Sequence, residues 1–173
     1  TILGPEMKST GEVMGIASTF EEAFLKSQIA ANIFLPRSGT VFLSVKNSDK
    51  NSKAIEIAQA LKDLGFSILT TNGTKKFLDK NMIKSQLVRK VYEGSPNIID
   101  SIKSGKVDLV FNTTEGTKAI EDSKDIRSKA LDLKIPYYTT LAGSRAATRA
   151  MKQDLLTSSE VRPIQTFSAL LAE

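Results

Sequence analysis

Four short stretches of this 173-residue chain concentrate hydroxyl, amide and ammonium groups: Lys46-Asn47-Ser48-Asp49-Lys50, Thr71-Asn72-Gly73-Thr74, Asn112-Thr113-Thr114-Glu115-Gly116 and Thr140-Leu141-Ala142-Gly143-Ser144. A phosphate dianion takes short hydrogen bonds from hydroxyls and backbone N–H groups, one or two cations, and the positive end of a helix dipole. Thr71, Gly73 and Thr74 fit a small phosphate cradle, because glycine lets the backbone approach and a following helix turns its N–H groups toward a ligand. Lys50 and Lys90 would supply charge, with Asn112 and Thr114 closing the opposite side. Each piece also has a plain reading. Asn-Gly is a strong turn dipeptide, Lys50 reads equally as a solvated first-turn lysine, and Lys90 as a strand-edge lysine. What favours a site is the recurrence of these residue types after several strands.

Other chemistries are excluded by composition. Cysteine and histidine are both absent, which removes disulfides, thiolate nucleophiles, the common zinc sites and the usual proton shuttle near neutral pH. No metal site is expected. Asp49, Glu93, Asp108 and Glu115 could do acid–base work, yet each reads as well as a helix cap, a turn residue or a solvated strand end, so no catalytic residue is assigned. Tyr92, Tyr137 and Tyr138 fall in strand patterns and read as core or rim packing. The net charge of +5 comes from one segment: residues 39–106 hold 12 basic and 6 acidic side chains, against 3 and 4 before and 9 and 9 after. A local surplus suits a small-anion pocket or a solvated face. No arginine-rich run or aromatic interleaving argues for nucleic acid. No apolar run reaches the ~18 residues of a membrane span, and no signal-peptide pattern opens the sequence. A soluble, cytoplasmic protein is expected.

The elements that must position these residues alternate in type. Thr40 to Val45 reads as a buried strand, followed by a helix capped by Ser48 or Asp49, with Ala54, Ile57, Ala58, Leu61 and Leu64 on one face and Gly65 as its stop. Phe66–Thr70 and Leu87–Tyr92 read as strands, the latter containing Lys90. Ser95-Pro96 opens a helix that ends at Gly105, and Val107–Phe111 is a strand. A helix over 118–133, a strand over Ile135–Thr139 and a short helix over Ser144–Met151 follow. Such alternation predicts an α/β fold, a three-layer sandwich around a mostly parallel sheet, in which ligands bind beyond the carboxyl ends of the strands. Residues 1–38 read differently. A Gly-punctuated loop over 3–15 precedes a helix opened by a Thr19/Glu22 capping box, and the segment is expected to be the tail of another domain plus a linker helix, with the main domain over 39–173.

These residues carry a family resemblance. Leu3 to Gly15 resembles the end of the second ATP-grasp half of carbamoyl-phosphate synthase large subunits. Residues 39 to about 155 resemble their carboxy-terminal allosteric domain, of the methylglyoxal-synthase-like type. The shared features are Thr71-Asn72-Gly73-Thr74, Lys90-Val91-Tyr92-Glu93-Gly94, Asn112-Thr113-Thr114, Ala119-Ile120-Glu121-Asp122-Ser123 and Tyr138-Thr139-Thr140-Leu141. The resemblance implies a regulatory domain that binds UMP or IMP, with phosphate held by Thr71, Thr74, Lys50 and Lys90, effector contacts from Asn112 and Thr114, and Thr139 on the boundary where ornithine binds. It implies no cofactor for this segment. ATP, Mg and K would belong to the missing synthetase domains, and a glutaminase small subunit would be a further partner. The alternative is a methylglyoxal-synthase-type lyase acting on a triose phosphate. That family uses an aspartate, whose place Ser95 takes here, and histidines, of which there are none. A cyclohydrolase of purine biosynthesis shares the fold but needs a longer chain. Asn72 stands where relatives commonly have histidine.

Overall fold

The computed structural model describes residues 12–115, 117–156, 163 and 165–166, with side chains described except at 117–122 and 155–156. Residues 3–11 of the N-terminal resemblance, residues 119–122 at side-chain level, and most of the last 17 residues lie outside this description.

The strands form one sheet, and every pairing in it is parallel: β1 (Thr40–Ser44), β2 (Ser67–Thr70), β3 (Gln86–Leu87), β4 (Leu109–Asn112) and β5 (Tyr137–Tyr138) lie in the order β3-β2-β1-β4-β5. The apolar strands alternate between two cores. Val41, Leu43, Leu109 and Phe111 face one, shared with Ile57, Ala58 and Leu61 of α2 (Ser52–Asp63), Leu78 of α3 (Asn72–Lys80), and Ala147 and Met151 of α6 (Leu141–Leu156). Phe42 and Val110 face the other, with Ile98 and Ile102 of α4 (Ile98–Lys103) and Ile126 and Ala130 of α5 (Thr117–Asp132). Three layers result, because strands buried on both faces need helices on each. The chain winds from β1 to β3 on one side of the sheet and resumes at β4 on the other side of β1. The carboxyl end of β1 is therefore a topological switch point, where an α/β sheet leaves a crevice.

Several boundaries differ from the sequence reading, each for a local reason. Asn47–Asp49 forms a single 3₁₀ turn, and α2 is capped instead by Asn51, whose side chain accepts from Lys53 N–H at 3.0 Å. The strand expected over Leu87–Tyr92 stops at Leu87. Glu93 Oε2 takes the Lys90 N–H at 2.8 Å and Glu93 N–H donates to Lys90 O, so Val91–Glu93 becomes a 3₁₀ turn with Lys90 at its start. The helix expected from Ser95-Pro96 starts at Ile98, because Asn97 accepts from Ile99 N–H and Asp100 Oδ2 accepts from Asn97 N–H at 2.9 Å, a reciprocal cap. Only Tyr137–Tyr138 of the fifth strand pairs, and the last helix is longer than expected, beginning at Leu141.

The segment before β1 contributes α1 (Phe20–Ala30), which packs along α6. Thr19 Oγ1 accepts from Glu22 N–H at 3.3 Å, while Glu22 pairs with Lys26 rather than completing the box. Leu25 is buried, Phe24 packs against the first core and against the Tyr138 ring, and Glu21 pairs with Arg149. Phe20 and Ile29 remain exposed. Among the described residues no helix is long and apolar enough to cross a membrane, and no His/Cys/Asp/Glu cluster could hold a metal ion.

Candidate anion-binding site

A cavity of about 560 Å³ opens at the switch point. Lys50, Thr71, Gly73, Thr74, Lys90, Asn112 and Thr114 all line it; Thr139, exposed beyond the end of β5, does not. Parallel crossovers account for the convergence. Each strand delivers its next loop to the same sheet edge, and the pairings Leu43↔Thr70 and Ser44↔Asn112 bring the ends of β2 and β4 to either side of β1.

The loops are tied to one another. Ser44 Oγ lies 3.3 Å from Thr71 Oγ1, Val45 N–H donates to Thr74 Oγ1 at 3.0 Å, and Lys46 N–H donates to Thr113 Oγ1 at 3.0 Å. Thr74 is fully buried and its hydroxyl is held by Val45, so what it offers a ligand is its backbone N–H. The first helical hydrogen bond of α3 runs from Lys75 N–H to Thr71 O. The N–H groups of Asn72, Gly73 and Thr74 precede it and form the positive end of the helix.

Two ammonium groups face that end. A Cβ on Gly73 would stand 3.2 Å from Lys50 Nζ, so the glycine makes room for the cation. Lys50 Nζ donates to Asn47 Oδ1 at 2.7 Å. Partial burial, and then repulsion from Lys90, lower the Lys50 pKa. Lys90 Nζ lies 5.5 Å from the centre of the Tyr92 ring, within cation–π range. Opposite, Asn112 Nδ2 donates to Tyr137 OH at 3.0 Å and to Ser123 Oγ at 3.3 Å. Phe42, Val91, Ile98 and Ile126 supply an apolar wall, so the cavity offers an anion end and a separate surface for a flat or apolar group.

A family model described as an MGS-like domain matches residues 53–139, half of the chain. The chain belongs to the MGS-like domain family. The match includes six of the seven cavity residues above and begins just after Lys50. This MGS-like domain is also similar along nearly its whole length to carbamoyl phosphate synthase large chains: 47% identical over 171 residues to that of Myxococcus xanthus, 48% over 168 to that of Mesorhizobium japonicum and 45% over 166 to that of Archaeoglobus fulgidus. It covers 96–99% of itself in these matches but spans only 14–16% of the relatives' length.

Sequence reading missed part of the cavity. Tyr92 is half exposed at the cavity instead of packed in a strand, and Tyr137, which does not line the cavity, turns its hydroxyl to Asn112 and Ser123, which do. Ser44, Lys46, Thr113 and Ser123 also line the cavity. Lys46 and Thr113 lie inside the loops singled out above and Ser123 ends one of the stretches that carry the resemblance, whereas Ser44 sits in a strand and carries no local signal. Of the four acidic candidates only Glu115 reaches the cavity, where its Oε2 accepts from Ser48 Oγ at 3.3 Å. Asp108 sits at the opposite end of the sheet, accepting from Thr40 N–H at 2.7 Å. Ser95 is exposed and donates to Asp100.

Proposed function

We propose that this MGS-like domain is the effector-binding part of a carbamoyl phosphate synthase large chain and that its cavity takes a nucleoside monophosphate, UMP or IMP. One observation carries the reading. Lys50 and the free N–H groups of the α3 N-terminus lie together, Lys90 stands near enough to repel Lys50, and among the described side chains the only carboxylate lining the cavity is that of Glu115. Such an arrangement is unfavourable alone and favourable around a phosphate dianion. The apolar wall of Phe42, Val91, Ile98 and Ile126 suits a nucleobase.

In the parent enzyme, the synthetase domains would bind ATP, Mg and K, the glutaminase small subunit would supply ammonia, and pyrimidine and arginine biosynthesis would draw on the product. Residues 1–38 would be the tail of the synthetase, and Thr139 would face ornithine across that boundary, all in the cytoplasm. Control there requires unequal affinity for two enzyme states, typically about 1 to 3 kcal/mol of coupling.

Titration calorimetry and thermal melting with UMP, IMP and inorganic phosphate test the binding step. A ligand at 100 times its dissociation constant stabilises by about 2.7 kcal/mol, several degrees for a domain of this size. A rise in Tm with at least one nucleotide is expected. No rise and no heat with either at about millimolar concentration would overturn the proposal. Phosphate release from dihydroxyacetone phosphate would overturn it in favour of a lyase.

A further inference from the structure

Asn112 and Ser123, which line the cavity, and Tyr137 behind them form a closed triangle of polar contacts. Asn112 Nδ2 reaches Tyr137 OH at 3.0 Å and Ser123 Oγ at 3.3 Å, and the two hydroxyls lie 2.9 Å apart. Three contacts need three donors. The NH₂ group supplies two hydrogens and one hydroxyl supplies the third, whereas an amide turned the other way leaves only the two hydroxyl hydrogens for all three. The triangle therefore selects one orientation of the Asn112 side chain. Among the described residues its Oδ1 has no hydrogen-bond partner and is not among the buried unsatisfied atoms, although Asn112 as a whole is only 5% exposed. The surface left to that oxygen is the cavity that Asn112 lines.

We propose that Tyr137 and Ser123 are positioning residues that fix Asn112 Oδ1 as a hydrogen-bond acceptor in the cavity, so that the site selects phosphorylated ligands carrying an N–H or O–H donor on the side away from the phosphate. The inference rests on the nucleotide reading above and deepens it. Thr71 follows β2 and Asn112 ends β4, strands on either side of β1 and about 10 Å apart. A ligand must bridge that distance to use both ends. Inorganic phosphate reaches only the Lys50–Gly73 end and is indifferent to Asn112. A hydroxyl or ring N–H held against Oδ1 contributes to affinity, and a ligand presenting an acceptor there is disfavoured because two acceptors would face each other without a hydrogen between them.

The test uses the whole chain and three variants: Tyr137→Phe, which keeps the ring and removes one acceptor of the triangle, Asn112→Ala, and the double variant. Affinities for UMP, IMP and inorganic phosphate are measured by calorimetry, with folding checked by circular dichroism. Tyr137→Phe is expected to weaken the nucleotides about three- to tenfold, the span of one hydrogen bond, and to leave inorganic phosphate unchanged. In the Asn112→Ala background the same change is expected to have no further effect, since Tyr137 acts through Asn112. An equal loss for phosphate, no loss for the nucleotides, or additive losses in the double variant would overturn the positioning role while leaving the nucleotide reading intact. A native chain that binds phosphate but neither nucleotide would overturn both. Should Tyr137→Phe fail to fold, Ser123→Ala removes the other acceptor and carries the same expectations.

Discussion

Lys50 occupies a place that disfavours the charged form of its own side chain. Its ammonium lies beside Gly73 at the positive end of α3, and burial together with Lys90 lowers its pKa. The unfolded chain thus holds the Lys50 proton more tightly than the folded one. The unliganded protein gains stability as pH rises from the lowered value toward 10.5, and loses that increment as pH falls back through it. A phosphate bound at the proposed site would reverse the sign by favouring the protonated form. Lys50→Met is therefore expected to leave the Tm of the unliganded chain equal or raised at neutral pH while removing most of the shift produced by UMP or IMP. A Tm several degrees lower without ligand would show that Lys50 is structural. Tyr138 makes a contrasting use of a polar group: its hydroxyl donates to Gln28 Oε1 at 2.8 Å, burial pushes its pKa up, and it serves to hold α1.

Among the elements, α3 and α1 show how much a local pattern conveys. The Thr-Asn-Gly-Thr tetrad, which reads locally as a turn, is instead the N-cap and first turn of a helix. For α1, capping residues and apolar spacing give a helix but do not say what it packs on. Leu25 is 4% exposed and Phe20 59%, though both are large apolar residues on the same helix. Leu25→Ala is expected to destabilise by about 2–5 kcal/mol, the usual range for a buried leucine, and Phe20→Ala by under about 0.5 kcal/mol, as for exposed positions. Urea unfolding with an unchanged m-value checks both. Equal effects would mean that α1 is not docked on α6 in solution.

At the scale of the molecule, three of the twelve basic side chains of residues 39–106, those of Lys46, Lys50 and Lys90, line one cavity. A charged cleft with low-dielectric walls concentrates counter-ions, and salt screens it, with a Debye length near 10 Å at 0.1 M. Nucleotide affinity is expected to fall as salt is raised, and less steeply in Lys90→Ala; equal slopes from a titration series in both proteins would contradict a charge-driven site. The sequence by itself determined the alternation of strands and helices, the parallel sheet that follows from strands apolar on both faces, and the loop residues after each strand, because all of these are local in the chain. It could not determine that Lys90 leaves the strand, since one Glu93 carboxylate captures its N–H, nor that Tyr137 turns its hydroxyl onto Asn112, 25 residues earlier. Those outcomes depend on strand order. Only when β1 takes the centre, with β2 and β4 on its flanks, do loops separated by forty residues meet, and that choice is made by the packing of two cores at once rather than by any single segment.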